Sequence, residues 1–296
     1  NDEASLGGLL LSLGDNKRKL GVLASVSQGN TSIETGYYEL DSTMKLVLKK
    51  EDPMQQTIRE KVKIPSQVVQ VDASSYLIVD GMGRRWRLPK NQNEYSGLME
   101  RQSLRICREV ATERDLFNCG GTFYELPSEN ADGFAKIKPI STHGLRINDY
   151  ASFRGMLVIT GIDPKSASTN KNIFYSDDKK AVVWAGVIDD LWKMGKPIGK
   201  GGPWLNNAVS AGAASDPYLF GGYDKRMLTL SHQSTSAVSF TLQLDATGDG
   251  VWYDYKMVSV PAKQSTEISF PAEIQSKWIR LVPNKNTVAS AQFQYK

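Results

Sequence analysis

The chain has 296 residues, 40% hydrophobic and 23% charged, a globular composition with room for more than one packed unit. Thirty-six Lys and Arg against 32 Asp and Glu leave a net charge of +4 with both signs interspersed, so nucleic acid, which needs a basic stripe or face, is not expected as a partner. The longest apolar runs, Leu9–Leu13 and Met156–Thr160, are far too short to span a bilayer.

Asn1 is not preceded by Met, and no basic segment with a following apolar run opens the chain, which reads as a mature secreted form or a chain trimmed upstream. Short strands then dominate. Leu20–Val26, Tyr37–Leu40, Lys45–Leu48, Gln67–Val71, Tyr76–Val79 and Trp86–Leu88 are rich in β-branched, aromatic and Leu residues. Turn signals such as Gln28-Gly29-Asn30, Asp52-Pro53 and Asp80-Gly81-Met82-Gly83 separate them. Helical periodicity is nearly absent. The best candidate, Gln55–Lys61, covers under about three turns and reads as a connector.

A loose repeat emerges when strand ends are aligned. Tyr38-Glu39-Leu40, Trp86-Arg87-Leu88-Pro89 and Tyr124-Glu125-Leu126-Pro127 share an aromatic–charged–Leu pattern. A further unit runs through Met156–Ile162, Ile173–Tyr175 and Ala181–Trp184, with a hairpin turn at Ser176–Lys180. A recurrence of roughly 38–50 residues suits one four-stranded β-propeller blade, and such a sheet must stack on others to bury its faces. About four blades fit before residue 200, the low end for closure, so the set reads as incomplete, with blades or a domain upstream. A small propeller or a stack of two sheets fits the same pattern.

Gly195–Tyr223 is rich in Gly, Pro, Ser and Asn and reads as irregular over most of its length. From Asp224 the alternation is clean. Phe240, Leu242 and Leu244 face one way, Thr241 and Gln243 the other, and Trp252–Val260, Glu267–Phe270, Lys277–Val282 and Ala289–Tyr295 supply further strands. Trp252 and Trp278 fall in strands and are assigned to the core. The expected architecture is all-β: propeller-like blades over 1–200, an irregular connection over 201–223 and an antiparallel β-sandwich over 224–296.

Two glycine-bearing loops imitate binding motifs and fail on detail. Asp245–Gly250 begins like a calcium loop, but Lys256 stands where a bidentate Glu is needed, so it reads as a hairpin turn. Gly195–Gly201 is one residue short of a phosphate loop and lacks the Ser or Thr that holds magnesium. No metal and no cofactor is expected.

The densest mixture of ionisable, aromatic and turn-forming residues runs from Cys107 to Gly155. Its cysteines, Cys107 and Cys119, either pair across adjacent strands or stay as two buried thiols. His143, Arg146, Asp149, Tyr150 and Arg154 are the candidate catalytic set: a base, an acid and guanidinium groups to hold a carboxylate. Those are the parts with which a polysaccharide lyase neutralises a uronate and moves its protons. Glu125 with Asp149 would instead suit hydrolysis by paired carboxylates. Tyr124, Glu125, Asp190, Trp192 and Trp204 are the expected substrate lining. The competing reading is a satisfied hydrogen-bond network locking neighbouring sheets, and His232, at a strand end, reads as structural. Six Trp and twelve Tyr in an all-β chain suit sugar rings, whose apolar C–H faces stack on aromatic faces.

From Asp115 onward, NCGGTFYELP, FAKIKPISTHGLRINDYASFRG, VIDDLWKMGKP, GGPW, SDPYL, GYDKRMLTLSH and the closing AQFQY resemble a poorly characterised family of large secreted bacterial proteins. That family is associated with polysaccharide degradation and carries a β-propeller followed by a C-terminal β-sandwich. The resemblance implies a carbohydrate ligand and a secreted or periplasmic location. The expectation is a carbohydrate-active protein, a polysaccharide lyase or glycoside hydrolase, with its site at one propeller face. The alternative is a non-catalytic glycan-binding or scaffolding module with a Trp platform near Trp192 and Trp204.

Overall fold

The computed structural model describes residues 5–13, 19–28, 31–50, 52–61, 69–91, 106–109, 114–143, 147–161 and 171–296. The chain is nearly all β, as expected. β1 (Ser5–Leu13), β2 (Lys19–Gln28), β3 (Thr31–Leu40) and β4 (Leu46–Lys49) lead to helix α1 (Met54–Lys61), then β5 (Val69–Val71), β6 (Tyr76–Val79) and β7 (Arg85–Leu88). β8 (Ile106–Glu109), β9 (Arg114–Cys119), β10 (Thr122–Leu126) and β11 (Lys138–Thr142) follow. Next come β12 (Asp149–Phe153), β13 (Met156–Thr160), β14 (Ile173–Tyr175) and β15 (Val182–Gly186). The C-terminal part adds β16 (Gly199–Val209), β17 (Tyr218–Leu219), β18 (Arg226–His232), β19 (Val238–Asp245), β20 (Tyr253–Val260), β21 (Ser265–Phe270), β22 (Trp278–Pro283) and β23 (Thr287–Tyr295).

The contacts divide the chain into two compact units, and the sequence alternates between them. The first comprises Asn1–Pro65, Arg101–Gly121 and His143–Met194; the second comprises Ser66–Glu100, Thr122–Thr142 and Gly195–Lys296.

In the first unit two four-stranded antiparallel sheets of blade size, ordered β1-β2-β3-β4 and β12-β13-β15-β14, pack face to face. The period-2 pattern explains why. In β2, Leu20, Val22 and Ala24 meet Phe153, Val158 and Val183 of the other sheet, while Leu23 turns the opposite way against Tyr37 and Ile58 of α1. The helix thus covers the second face of the first sheet. Asp52 caps it, its Oδ1 accepting the Met54 N–H at 2.9 Å, with Pro53 preceding the first turn. β8 pairs antiparallel with β9, Cys107 lying opposite Leu116. That register leaves Cys119 three residues further along, with its Cα about 10 Å away, beyond the reach of a disulfide. Cys119 is a free, buried thiol whose pKa burial raises above the usual range.

The second unit is a β-sandwich. A seven-stranded sheet, β20-β19-β22-β17-β7-β6-β5, faces a four-stranded one, β16-β23-β18-β21. Aromatic rings fill the space between them: Tyr218 stacks on Phe293 at 4.9 Å, Trp204 meets Phe240 at 6.3 Å, and Phe220 packs edge-on against Phe270 at 4.9 Å. Trp278 is fully buried as expected, 4.7 Å from the Trp86 ring, with its indole N–H donating to the Ala135 carbonyl at 2.7 Å.

Three expectations about elements change here. The Trp86–Leu88 strand end, assigned to a blade, belongs to the sandwich, because β7 pairs in parallel with β17 at Tyr218↔Arg87. The sandwich therefore draws in strands well upstream of residue 224. More than a third of the segment expected to be irregular, Gly195–Tyr223, is the eleven-residue strand β16. Its glycines are there for close approach: a Cβ on Gly202 would fall 1.8 Å from the Ala291 carbonyl oxygen, and one on Gly201, at φ 130°, would fall 2.5 Å from that of Ser74.

Arg87, 8% exposed, pins β7 to the 210–217 segment. Its Nε donates to Asp216 at 2.8 Å and its Nη1 to Asp72 at 2.7 Å and Ser75 at 2.9 Å, while Arg85 shares Asp216. Burial pushes both carboxyls upward, but the Arg87 and Ser74/Ser75 N–H bonds to Asp72, the Arg85 and Arg87 bonds to Asp216 and the guanidinium charges together outweigh it and hold both below the usual carboxylate range.

Candidate functional site

In the first unit β9 and β12 bring several of the expected catalytic residues into one buried network. The Tyr150 hydroxyl accepts a hydrogen bond from the Asn118 backbone N–H at 3.1 Å and donates to the Leu116 carbonyl at 3.3 Å. His143 Nε2 lies 2.8 Å from Asn118 Oδ1, and the His143 backbone N–H donates to the Gly121 carbonyl at 2.8 Å. Because an amide oxygen only accepts, Nε2 carries the proton in this arrangement. Asp149 Oδ2 accepts the Leu10 N–H at 2.7 Å, and its Oδ1 accepts the Tyr150 N–H at 2.9 Å.

The exposures are 1% for His143 and 3% each for Asp149 and Tyr150, so the open pocket expected around them is replaced by a closed polar cluster. The physical reason lies at the sheet edges. β1 and β12 are both edge strands, and an edge leaves backbone N–H and C=O groups without ladder partners. Asp149 supplies an acceptor to Leu10, and the Thr160 hydroxyl donates to the Gly8 carbonyl at 2.6 Å. Arg154 is elsewhere: with Gly155 it forms the exposed β12–β13 turn (φ 53° and 76°), five residues and about 16 Å along the strand from Asp149. Arg146 lies outside the described residues.

The expected substrate-lining residues fall in both units. Asp190 and Trp192 belong to the first unit, Tyr124, Glu125 and Trp204 to the second. Asp190 accepts from Lys193 at 2.7 Å and from the Val187 N–H at 3.1 Å, and the lysine hydrogen bond holds its carboxyl below the usual range despite opposing burial. Trp192 is 48% exposed on a 3-10 turn, Ile188–Met194. Tyr124 and Trp204 are buried, the latter against Phe240, and Glu125 is part-exposed opposite Lys138. The platform expected near Trp192 and Trp204 is therefore corrected: Trp204 is core, packed into the sandwich. His232 is structural, donating from Nε2 to the Val260 carbonyl at 2.9 Å and accepting at Nδ1 from Ser234 at 3.1 Å. The Asp245–Gly250 loop is the expected hairpin turn, Asp245 accepting the backbone N–H groups of Thr247, Gly248, Asp249 and Gly250.

The accessible chemistry sits on the outer face of the seven-stranded sheet. There Arg280, Gln243 and Asp254 stand opposite one another across β22, β19 and β20. Arg280 Nε donates to Gln243 Oε1 at 2.7 Å, and Gln243 Nε2 donates to Asp254 Oδ1 at 2.8 Å. The Arg280 guanidinium also lies over the half-exposed Trp252 indole, 4.3 Å from its centroid. Next along the face, Thr241 pairs with Met257, which is 69% exposed.

Trp252 was assigned to the core, and a bulge is the reason it is not there. Val258 and Val260 face inward, and counting back by twos places Lys256, Asp254 and Trp252 inward as well. The register shifts between Leu242↔Lys256 and Gln243↔Asp254, so Tyr255 is an extra residue and everything before it reverses face. A run that alternates Trp, Asp, Lys with Tyr, Tyr, Met was the signal available in the sequence, since an indole sharing parity with two charges fits a surface better than a core.

No protein-family model and no curated protein sequence matches the chain. Among solved structures it is similar to a glycoside hydrolase family 43 arabinoxylan arabinofuranohydrolase from Bacillus subtilis, at 13% identity over 99% of this chain and 79% of that one, with a TM-score of 0.21. An exo-β-1,3-galactanase from Phanerochaete chrysosporium aligns at 8% identity over 97% and 80% of the two chains, TM-score 0.20. A GH32 β-fructofuranosidase from Bombyx mori aligns at 8% identity over 95% and 77%, TM-score 0.19.

Proposed function

We propose that the chain is a glycan-binding module that holds a polysaccharide outside the cytoplasm without cleaving it, and that the outer face carrying Trp252, Arg280, Gln243 and Asp254 is where the sugar sits. The observation that carries this reading is the row of hydrogen-bonded planar side chains across three strands beside an indole fixed by a guanidinium. A pyranose presents an apolar C–H face and a rim of hydroxyls. The indole takes the first, and Gln243, Asp254 and Arg280 supply donors and acceptors for the second. Because Arg280 already bonds Gln243, and Gln243 bonds Asp254, the row is ordered before any ligand arrives, which lowers the entropic cost of binding.

Binding is favoured over cleavage by the state of the side chains expected to do chemistry. Elimination at a uronate needs a base and a guanidinium converging on one solvent-filled pocket. His143, Asp149 and Tyr150 are buried and engaged with backbone and Asn118, and Arg154 is on a turn about 16 Å along the strand.

The experiment is co-sedimentation with a panel of insoluble polysaccharides, run beside assays for new reducing ends and for the ultraviolet absorbance of unsaturated ends. Retention on at least one glycan with no new ends is the expected result. Release of either kind of end by wild-type protein, abolished in His143→Ala of equal stability, would overturn it.

A further inference from the structure

We propose that the outer face of the other sheet of the sandwich carries a second site, a cationic groove that takes an acidic polysaccharide through its carboxylate or sulfate groups. It shares with the preceding reading only the class of ligand; the residues and the sheet are different. Two adjoining cavities form the groove, of about 390 Å³ and 330 Å³, and both are lined by Gln294 and Lys296. The first adds Lys225 and Met227; the second adds Lys90 and Lys200.

Register places all of these on one face. Lys90 is bridged to Lys200 through both backbone N–H···O=C bonds, at 2.7 and 2.8 Å, and Lys200 stands opposite Gln294. Gln294 stands opposite Met227, which is opposite Ser269. Lys225 and Lys296, two residues along the same strands, are bonded to each other through backbone at 2.8 and 3.0 Å. The intervening Tyr295, Arg226 and Phe270 are buried, so the lysines share the outward side.

Lysines thus stand directly opposite one another twice at this end of the four-stranded sheet, once through the isolated bridge between Lys90 and Lys200, an arrangement that costs stability unless an anion lies between. Lys200, Lys225 and Lys296 make no ion pair within 4 Å among the described residues, although the Asp224 carboxyl feels the charge of Lys225. The one acidic side chain lining the groove, Asp224, is held by Lys196 at 2.6 Å. Glu267 lies two residues beyond Ser269 on the same face. Lys90 turns its ammonium to the Asp72 carbonyl. Burial lowers its pKa below the ordinary range; Asp72 opposes the shift and Lys200 adds to it. Within the first cavity the buried Arg226 keeps its head group on the Ile274 and Pro271 carbonyls and its Nε without a partner.

A polyuronate or sulfated glycan fits better than nucleic acid. The aromatic residues that line the groove, Tyr295 and Phe270, are 2% and 7% exposed, so bases have no ring to stack on.

The test compares wild type with the double variant Lys200→Glu/Lys225→Glu, both exposed positions where substitution leaves folding intact. Binding to polygalacturonate, to a neutral xylan and to single-stranded DNA is measured at low and high salt. The expected result is polygalacturonate binding that weakens with salt and falls about tenfold in the variant, with neutral-xylan binding unchanged. The milder Lys200→Ala/Lys225→Ala variant should fall between the two. Equal affinity of wild type and the charge-reversal variant for polygalacturonate would overturn the proposal. Displacement of polygalacturonate by DNA at equal charge concentration would also overturn it, since the groove would then be reading charge alone. Loss of neutral-xylan binding in wild type bears on the Trp252 face and leaves this groove standing.

Discussion

Replacing Tyr150 with Phe separates a structural from a catalytic role for the buried cluster of the first unit. The substitution keeps the ring and removes one oxygen, so no cavity forms and the effect is that of the hydroxyl alone. That oxygen is 3.1 Å from the Asn118 N–H and 3.3 Å from the Leu116 carbonyl, on a residue only 3% exposed. Stranding a buried N–H costs about 1–3 kcal/mol, and the longer bond to Leu116 adds roughly 0.5 kcal/mol, for a total of about 1.5–3.5 kcal/mol. Urea unfolding followed by a probe in the first unit should show a lower midpoint with an unchanged slope, because the surface exposed on unfolding is the same. Thermal unfolding should fall by about 2–4 °C for each kcal/mol lost. A tyrosine kept for proton transfer would behave differently, with stability untouched and turnover lost. An unchanged urea midpoint for Tyr150→Phe would refute the reasoning.

Other substitutions probe the sandwich. Arg87→Ala strips the guanidinium from Asp72, which is 42% exposed, and leaves Asp216 to Arg85 alone, and should cost about 1–3 kcal/mol, read from urea unfolding at neutral pH. Both carboxyls titrate below their ordinary value of about 3.9 in the folded protein. Their contribution is therefore full above that pH and is lost as pH falls through the folded value, so the gap between wild type and Arg87→Ala should narrow below about pH 4. Asp245→Ala removes the acceptor for four backbone N–H groups and should destabilise by about 1–3 kcal/mol, with faster amide exchange at Gly248 and Gly250. Trp278→Ala empties the site against Trp86 and loses the bond to Ala135, which should cost about 3–5 kcal/mol in calorimetric unfolding.

The fold class was legible because its signals are local. Alternation in Leu20–Val26 and Phe240–Leu244, turn residues at Ser176–Lys180 and the Asp52-Pro53 helix start each act within a few residues, and the structure carries them as strands, a hairpin and a capped helix. Pairing between distant segments was not legible. Nothing near Trp86 announces that β7 will meet β17, more than a hundred residues away, and the glycines of β16 read as loop because their partners, Ser74 and Ala291, are remote. The buried cluster failed for a related reason. His143, Asp149 and Tyr150 look like chemistry in sequence, and only the packed strands reveal that Asp149 and Tyr150 bond backbone groups of β1 and β9 while His143 bonds the Asn118 side chain. Trp252 was lost to a single bulge residue, Tyr255, and only its shared parity with Asp254 and Lys256 hinted at the surface.

The account turns most directly on the affinity of the Trp252 face. Calorimetric titration of a polysaccharide that the wild-type protein retains, repeated with Trp252→Ala, should show Kd rising by roughly thirtyfold, the equivalent of about 2 kcal/mol for losing an aromatic anchor, while the unfolding midpoint stays close to wild type. Equal affinity in the two proteins would place the sugar elsewhere and remove the basis of the proposed function.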